Sequence, residues 1–122
     1  MGRRENNIVL DKSKAFAISI VDLYKYLSSQ KSELVMSKQV LRSGTSIGAN
    51  LHEAIEAYST KEFLTKLYIA LKEARETEYW LELLYNTSYI PESYYMALNR
   101  SCTEIIKLLI SITRTVRDKQ PS

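Results

Sequence analysis

Paired carboxylates are the first residues in this sequence whose types and spacing suit a chemical role. Glu53-x-x-Glu56 and Glu73-x-x-Glu76 each set two carboxylates one helical turn apart. Four-helix proteins build di-metal centres from such glutamates, but those centres also need a Glu-x-x-His from two of the helices. The chain has one histidine, His52, and no glutamate three residues before it. The pattern excludes a di-iron site, and the glutamates are expected to be solvated or ion-paired; no metal or cofactor is expected. The single cysteine, Cys102, lies on an apolar stripe, where burial raises a thiol's pKa and keeps it inert. One cysteine also forbids an internal disulfide. Arg42-Ser43-Gly44-Thr45-Ser46 has one glycine and lacks the lysine of a phosphate-cradling loop. No catalytic residue is assigned, and the chain is not expected to be an enzyme.

A polar seam remains. Ser43, Ser46, Asn50 and Glu53 recur at helical spacing beside an apolar stripe, where a helix borders the core. Glu73 and Glu76 on the next helix can face them across an antiparallel pair, with Arg42, about two turns before Asn50, as counter-ion. Buried carboxylates must be paired or protonated. Arg42, Ser46, Asn50, Glu53, Glu73 and Glu76 are therefore expected to form a hydrogen-bonded network that fixes helix register or an oligomer interface, with a ligand site as the alternative.

The elements that position these residues follow from composition and period. The chain has 122 residues, of which 45% are hydrophobic, with only three glycines and two prolines. A sandwich or barrel needs a turn signal every ten residues or so, which five such residues cannot supply. Phe16, Ile20, Leu23 and Leu27 follow a 4-3-4 spacing, and a helix over about 11–28 is expected. A second, over about 37–58, opens on Ser37 as N-cap and carries Val40, Gly44, Ile47, Leu51, Ala54 and Tyr58 on one stripe. Gly44 and Gly48 fall inside it and are expected to let a neighbouring helix approach closely. The third, over about 60–86, opens on the capping box Ser59-x-x-Glu62. The fourth, over about 91–117, has Pro91 in its first turn and Arg114 and Arg117 at its far end, where cations suit the dipole. The tail Asp118-Lys119-Gln120-Pro121-Ser122 is expected to fray. Residues 1–122 thus form a single all-α domain, an antiparallel up-down-up-down four-helix bundle.

Net charge and surface residues bound the partners. The formal charge is +3, spread evenly over both halves of the chain, so neither half is a basic arm. No stretch approaches 18 uninterrupted apolar residues, and no secretory signal opens the chain, so a cytoplasmic protein that does not span a membrane is expected. The first and fourth helices are apolar on more than one stripe; Ile106, Leu108 and Ile110 lie off the main seam. That surplus points to a further buried surface and hence to a homo-oligomer. Nine tyrosines, among them Tyr24, Tyr68, Tyr79, Tyr94 and Tyr95 at the stripe margins, suit bundle margins and subunit contacts, or, with interspersed Lys and Arg, base stacking.

One segment resembles a known signature. Gln39-Val40-Leu41-Arg42-Ser43-Gly44-Thr45-Ser46-Ile47-Gly48-Ala49-Asn50-Leu51-x-Glu53-Ala54 is similar to that of the bacterial four helix bundle protein family, also named for the 23S rRNA intervening sequence. Lys61-Glu62-Phe63, Ala70-Leu71-Lys72-Glu73-Ala74-x-Glu76-Thr77 and Tyr79-Trp80-Leu81 fit as well, so the likeness runs over roughly residues 8–117. His52 sits where the family is variable. The resemblance implies an up-and-down bundle assembling into a ring, typically a homopentamer. Related accessory proteins of diversity-generating retroelements share that barrel of bundles, and binding of nucleic acid and a reverse transcriptase is ascribed to them. The expected role is a non-catalytic oligomeric accessory protein contacting RNA or a nucleoprotein partner; the alternative is a protein-binding scaffold ring with no nucleic-acid role.

Overall fold

The computed structural model describes residues 3–119, all of whose regular structure is helical. The elements are α1 (Arg3–Gln30), α2 (Met36–Ile55), α3 (Thr60–Asn86) and α4 (Glu92–Asp118). Compared with the expected bounds, α1 begins eight residues earlier, because Val9 continues its apolar stripe into the core at 3% exposure. The second helix stops three residues short of Tyr58. Glu56 and Ala57 close it with tight bonds to the carbonyls of Glu53 and Ala54, which frees the chain to reach the next cap. Pro91 is the N-cap of α4, with extended φ and ψ of −74° and 162°, rather than a residue of its first turn. Asp118 ends α4 instead of fraying, and residues 120–122 of the expected tail lie outside the described residues.

Side-chain partners fix the directions of the helices. Along α2, Gly44 meets Ile20 and Gly48 meets Ser13, so α2 ascends as α1 descends. Arg42 reaches Glu73 and Glu76 while Glu53 reaches Lys66, which sets α3 against α2 in the same way. Cys102 pairs with Ala74, and Tyr95 stacks on Tyr85, so α4 runs against α3. Tyr26 against Tyr94 and Lys12 against Glu104 complete the circuit between α1 and α4. The result is the antiparallel up-down-up-down bundle, with each helix packed on its two neighbours in the ring.

The stripes meet in one core. Ile20, Leu23, Leu27, Val40, Ile47, Leu81, Leu84 and Leu109 are fully buried, and each such side chain contributes about 1.5–3 kcal/mol over leaving it in water. Much of the apolar surplus on α4 is taken up by the core of the bundle itself. Ile106 is 3% exposed, and Leu108 and Ile110 pack against the core, because a helix in this bundle faces two neighbours and buries a wide arc. The two helical glycines mark the closest approach. A Cβ at Gly44 would lie 2.8 Å from both Cγ atoms of Ile20, and one at Gly48 would lie 3.3 Å from Ser13 Oγ.

With so few glycines, the turns use other residues. Ser32 and Ser88 take the left-handed conformation, at φ 53° and 68°. At the end of α3 the amides of Ser88 and Tyr89 return to the carbonyls of Tyr85 and Leu84, closing a Schellman motif. Half of the capping box forms as expected: Ser59 Oγ accepts from Glu62 N at 3.0 Å, but the Glu62 carboxylate reaches past the cap and accepts from the amide of Tyr58, one residue earlier, rather than from Ser59. Ser37 is not the N-cap. Val35 is, without a side-chain bond, and the carboxylate of Glu33 in the preceding loop accepts from Ser37 N at 2.7 Å and from Val35 N at 3.2 Å. Ser37 therefore sits inside the first turn, facing the core, where its hydroxyl is fully buried with no partner.

Two outcomes follow for urea unfolding. Ser37→Ala, which would cost about 1 kcal/mol if Ser37 were the cap, is expected to leave stability level or raise it, whereas Glu33→Ala is expected to cost about 1–2 kcal/mol. Gly44→Ala is expected to lose about 1–2 kcal/mol, since overpacking against a stiff β-branched side chain exceeds the helix propensity that alanine gains. An Ile20→Val background should recover part of that loss.

Candidate functional site

The polar residues picked out on α2 and α3 do come to one face, but in two separate groups. From the second turn of α2, Arg42 crosses to α3. Its Nη1 donates to Glu73 Oε2 at 2.8 Å, and its Nη2 donates to Glu76 Oε2. The same Glu76 oxygen accepts from the Trp80 indole N–H at 2.9 Å, one turn further on. Glu73 is the more sheltered carboxylate, at 18% exposure against 34% for Glu76, and Arg42 keeps 48% of its surface. The Glu76 hydrogen bond raises the Arg42 pKa, and its bonds from Arg42 and then Trp80 hold the Glu76 carboxyl below its ordinary range. A cation so paired between two carboxylates is a closed set of interactions. It offers neither a general acid nor a free anion-binding charge.

Ser46, Asn50 and Glu53 do not join this cluster. Ser46 Oγ donates to the Arg42 carbonyl, and Asn50 Nδ2 donates to the Ser46 carbonyl, both within α2. Glu53 lies three turns along from Arg42. Because α3 runs the other way, it meets Lys66 instead, Nζ to Oε1 at 2.7 Å, and that bond raises the Lys66 pKa. In place of the expected single buried network there are two separate groups of exposed or half-exposed ion pairs on the α2–α3 surface, Arg42 with Glu73 and Glu76, and Lys66 with Glu53. Beneath the first of them lies a buried polar contact. Thr77 Oγ1 is 2.9 Å from Ser43 Oγ and 2.8 Å from the Glu73 carbonyl, so the one polar pair in this part of the core is satisfied locally. Lys66, Thr77 and Trp80 were not singled out from sequence as partners. Thr77 could have been, since it interrupts an apolar stripe that includes Ala74 and Leu81.

The other chemistry-bearing residues are dispersed. Cys102 is fully buried, its Sγ donates to the Ala74 carbonyl, and burial followed by the Glu78 charge pushes its pKa up to about 12. The thiol stays protonated at neutral pH, so it is no thiolate nucleophile. His52 is exposed on α2. Tyr94 packs edge-on to Tyr26, and Tyr95 stacks on Tyr85 with ring centroids 4.8 Å apart, both near the α3–α4 turn. Tyr68 and Tyr79 remain exposed, and Tyr24 is half-buried. Among the described residues no three His, Cys, Asp or Glu side chains are grouped to hold a metal ion, and no helix is long and apolar enough to cross a membrane.

Comparison with known proteins places this geometry. The family model for 23S rRNA-intervening sequence proteins matches residues 5–111. Among solved structures, the chain is similar to a protein of unknown function of the S23 ribosomal protein family from Bacteroides thetaiotaomicron VPI-5482. The two are 59% identical, and the match covers 90% of this chain and 98% of that one with a TM-score of 0.89. No curated protein matches.

The ion pairs yield a test by pH. Glu76 has a depressed folded-state pKa, so its contribution is present above its ordinary value of 4.5 and lost as pH falls through the lower folded value. At neutral pH Glu76→Gln is expected to cost a few tenths to about 1 kcal/mol, given its partial exposure. The variant should also show a shallower loss of stability than the parent between about pH 5 and pH 3 in urea titrations. Glu53→Gln, which removes only an exposed pair, should leave the midpoint nearly unchanged.

Proposed function

The chain belongs to the 23S rRNA-intervening sequence protein family, and from that premise we propose that it is a non-catalytic, self-associating adaptor that binds RNA. The observation that carries the self-association is the set of large apolar side chains left uncovered around a core that is otherwise closed. Tyr58 is 91% exposed, Val35 73%, Tyr79 59%, Ile18 56% and Leu34 55%. Of these, Leu34 and Val35 adjoin at the α1–α2 turn, and neighbouring exposed side chains of this size favour a further buried surface there. A ring, five-membered as the family resemblance implies, would cover part of them. The Arg42–Glu73–Glu76 cluster then acts as a brace that holds α2 and α3 in register, so that the assembling surface is presented in one shape.

Assembly also changes the electrostatics. A +3 chain exerts little pull on a polyanion, but five copies pool about +15 on one particle, enough to steer and hold RNA at low salt. The protonated, sealed Cys102 and the internally paired carboxylates support an adaptor rather than an enzyme, working in the cytoplasm where RNA is found.

Light scattering behind a sizing column tests the first half. A particle of about five times the 14.1 kDa chain mass is expected, with Tyr58→Ser or Val35→Ser shifting it toward smaller species, and a monomer at tens of micromolar overturns the assembly. For the second half, structured and single-stranded RNA are titrated across salt. Affinity should fall linearly on a log–log scale as counter-ions are released. An intact ring with no RNA binding at about 50 mM salt leaves the protein-binding scaffold as the function.

A further inference from the structure

Along the middle of α3 and α4 the carboxylates are all taken and most of the cations are not. Over residues 68–79 of α3 and 100–114 of α4 the acids are Glu73, Glu76, Glu78 and Glu104. Arg42 of α2 draws the first two to one flank, Arg75 holds Glu78 at 3.4 Å, and Glu104 turns the other way to Lys12 of α1. Lys72, Arg100, Lys107 and Arg114 are exposed, and among the described residues none of them makes an ion pair. Arg100, Lys107 and Arg114 recur at a seven-residue spacing, which sets them on one ridge of α4, about 10 Å apart along its axis. Thr103 beside Glu78, and Arg114 beside Tyr68, show how the two helices run past each other. Lys72 and Lys107 fall between those two levels, and Tyr79 and Arg100 fall just beyond the first, so the free cations form one band.

Two tyrosine rings share this band. Tyr68, Lys72, Arg75 and Tyr79 follow a 4-3-4 spacing on the side of α3 away from the buried Ala70, Ala74 and Leu81, so aromatic rings bracket the cations. Tyr68 is 40% exposed and Tyr79 59%. An exposed side chain ordinarily changes rotamer freely, but Tyr79 is held. It stands edge-on to Trp80, with ring centroids 5.1 Å apart and planes at 70°. The Trp80 indole donates to Glu76, which Arg42 grips in turn. The brace on the α2–α3 surface thus fixes an aromatic pair at the margin of the cationic band. A ring already held in place loses less freedom when something stacks on it.

We propose that the outer face of α3 and α4 is a track for single-stranded RNA. Its phosphates follow Arg100, Lys107 and Arg114 along α4 and Lys72 on α3, and an unpaired base stacks on Tyr79, steadied by Trp80. Cations alone would suit any polyanion. The tyrosines add a demand for unstacked bases, because a duplex keeps its bases stacked and presents phosphates, sugars and groove edges instead. Every base has a face to stack, so the track reads the state of the strand and not its sequence. This assignment rests on the RNA-binding reading above and names both the surface that binds and the form of RNA it takes.

The test is fluorescence anisotropy across salt, with the full chain, a fluorescein-labelled oligouridylate and a blunt RNA duplex of the same length. Lys107→Gln and Arg114→Gln are each expected to weaken oligouridylate binding several-fold and to lower the salt slope by about 0.7, the loss of one phosphate contact. Tyr79→Leu is expected to weaken it about tenfold at an unchanged slope. Duplex binding should be weaker than oligouridylate binding throughout and indifferent to Tyr79→Leu. Lys38→Gln, which removes an exposed cation of α2 away from this face, should leave affinity and slope as they are. If the Lys107, Arg114 and Tyr79 variants all bind oligouridylate as the parent does, the face is not the site, although the chain remains an RNA binder. If the parent binds no RNA, both readings fail together. A duplex bound as tightly as oligouridylate, with Tyr79→Leu without effect, overturns the single-strand assignment. Polyglutamate competing as well as unlabelled oligouridylate overturns it in favour of an acidic protein partner, and phosphatidylserine vesicles competing as well overturn it in favour of an anionic membrane surface.

Discussion

The close approach of α2 to α1 at Gly44 is the constraint on which the other contacts depend. With no side chain there, the α2 backbone settles against the β-carbon branch of Ile20, and Gly48 repeats the approach one turn later against Ser13. Drawing α2 inward on that side sets what its remaining faces meet. Ser43, the residue beside Gly44, is then buried against Thr77 of α3, and Arg42 emerges at the edge of the same seam, within reach of two glutamates and, through one of them, of an indole. A methyl group at position 44 acts on this whole α2–α3 surface through the backbone, not by touching it.

Much of this was legible in the residues themselves. The 4-3 stripes of the first two helices named buried positions, because burial of one face is what a bundle requires; Tyr58 is the exception, since α2 ends at Ile55 and leaves its ring 91% exposed. Ser59 and Glu62 announced the start of α3 because both partners of that cap are local. The glycines on the α2 stripe could be read as contact points because nothing else explains two of them there. Ser37 misled for a physical reason. A cap can be supplied by a side chain outside the helix, and the Glu33 carboxylate, four residues upstream, does so here. In the same way, composition could nominate Arg42, Ser46, Asn50, Glu53, Glu73 and Glu76 together. Only the opposed direction of α3 decides that Glu53 belongs with Lys66 and that Glu73 and Glu76 belong with Arg42.

Charge shows the same division between what a linear count reveals and what packing adds. Basic and acidic residues come close to cancelling within each half of the chain. Folding turns the acids of α3 at positions 73 and 76 toward α2 and leaves Arg114 and Arg117 on the α3–α4 side with an aromatic ring. A helix with acids on one flank and none along part of the other lets a nearly neutral protein present a locally cationic face. The +3 of the whole chain understates what one face can offer, and repetition around a ring would multiply that face rather than the average.

The short connections carry a kinetic meaning. Each of α1–α2, α2–α3 and α3–α4 is a hairpin whose partners are joined by about five residues, and Ser32 and Ser88 hold two of those turns tight. Such pairs can find one another by local search, at little loop-closure cost. Only the seam between α1 and α4 joins the two halves of the chain across its full length, and it is the most thinly packed of the four, held at its margin by Lys12 with Glu104 and by Tyr26 with Tyr94. Of the four seams, that one carries the largest loop-closure cost against the least packing.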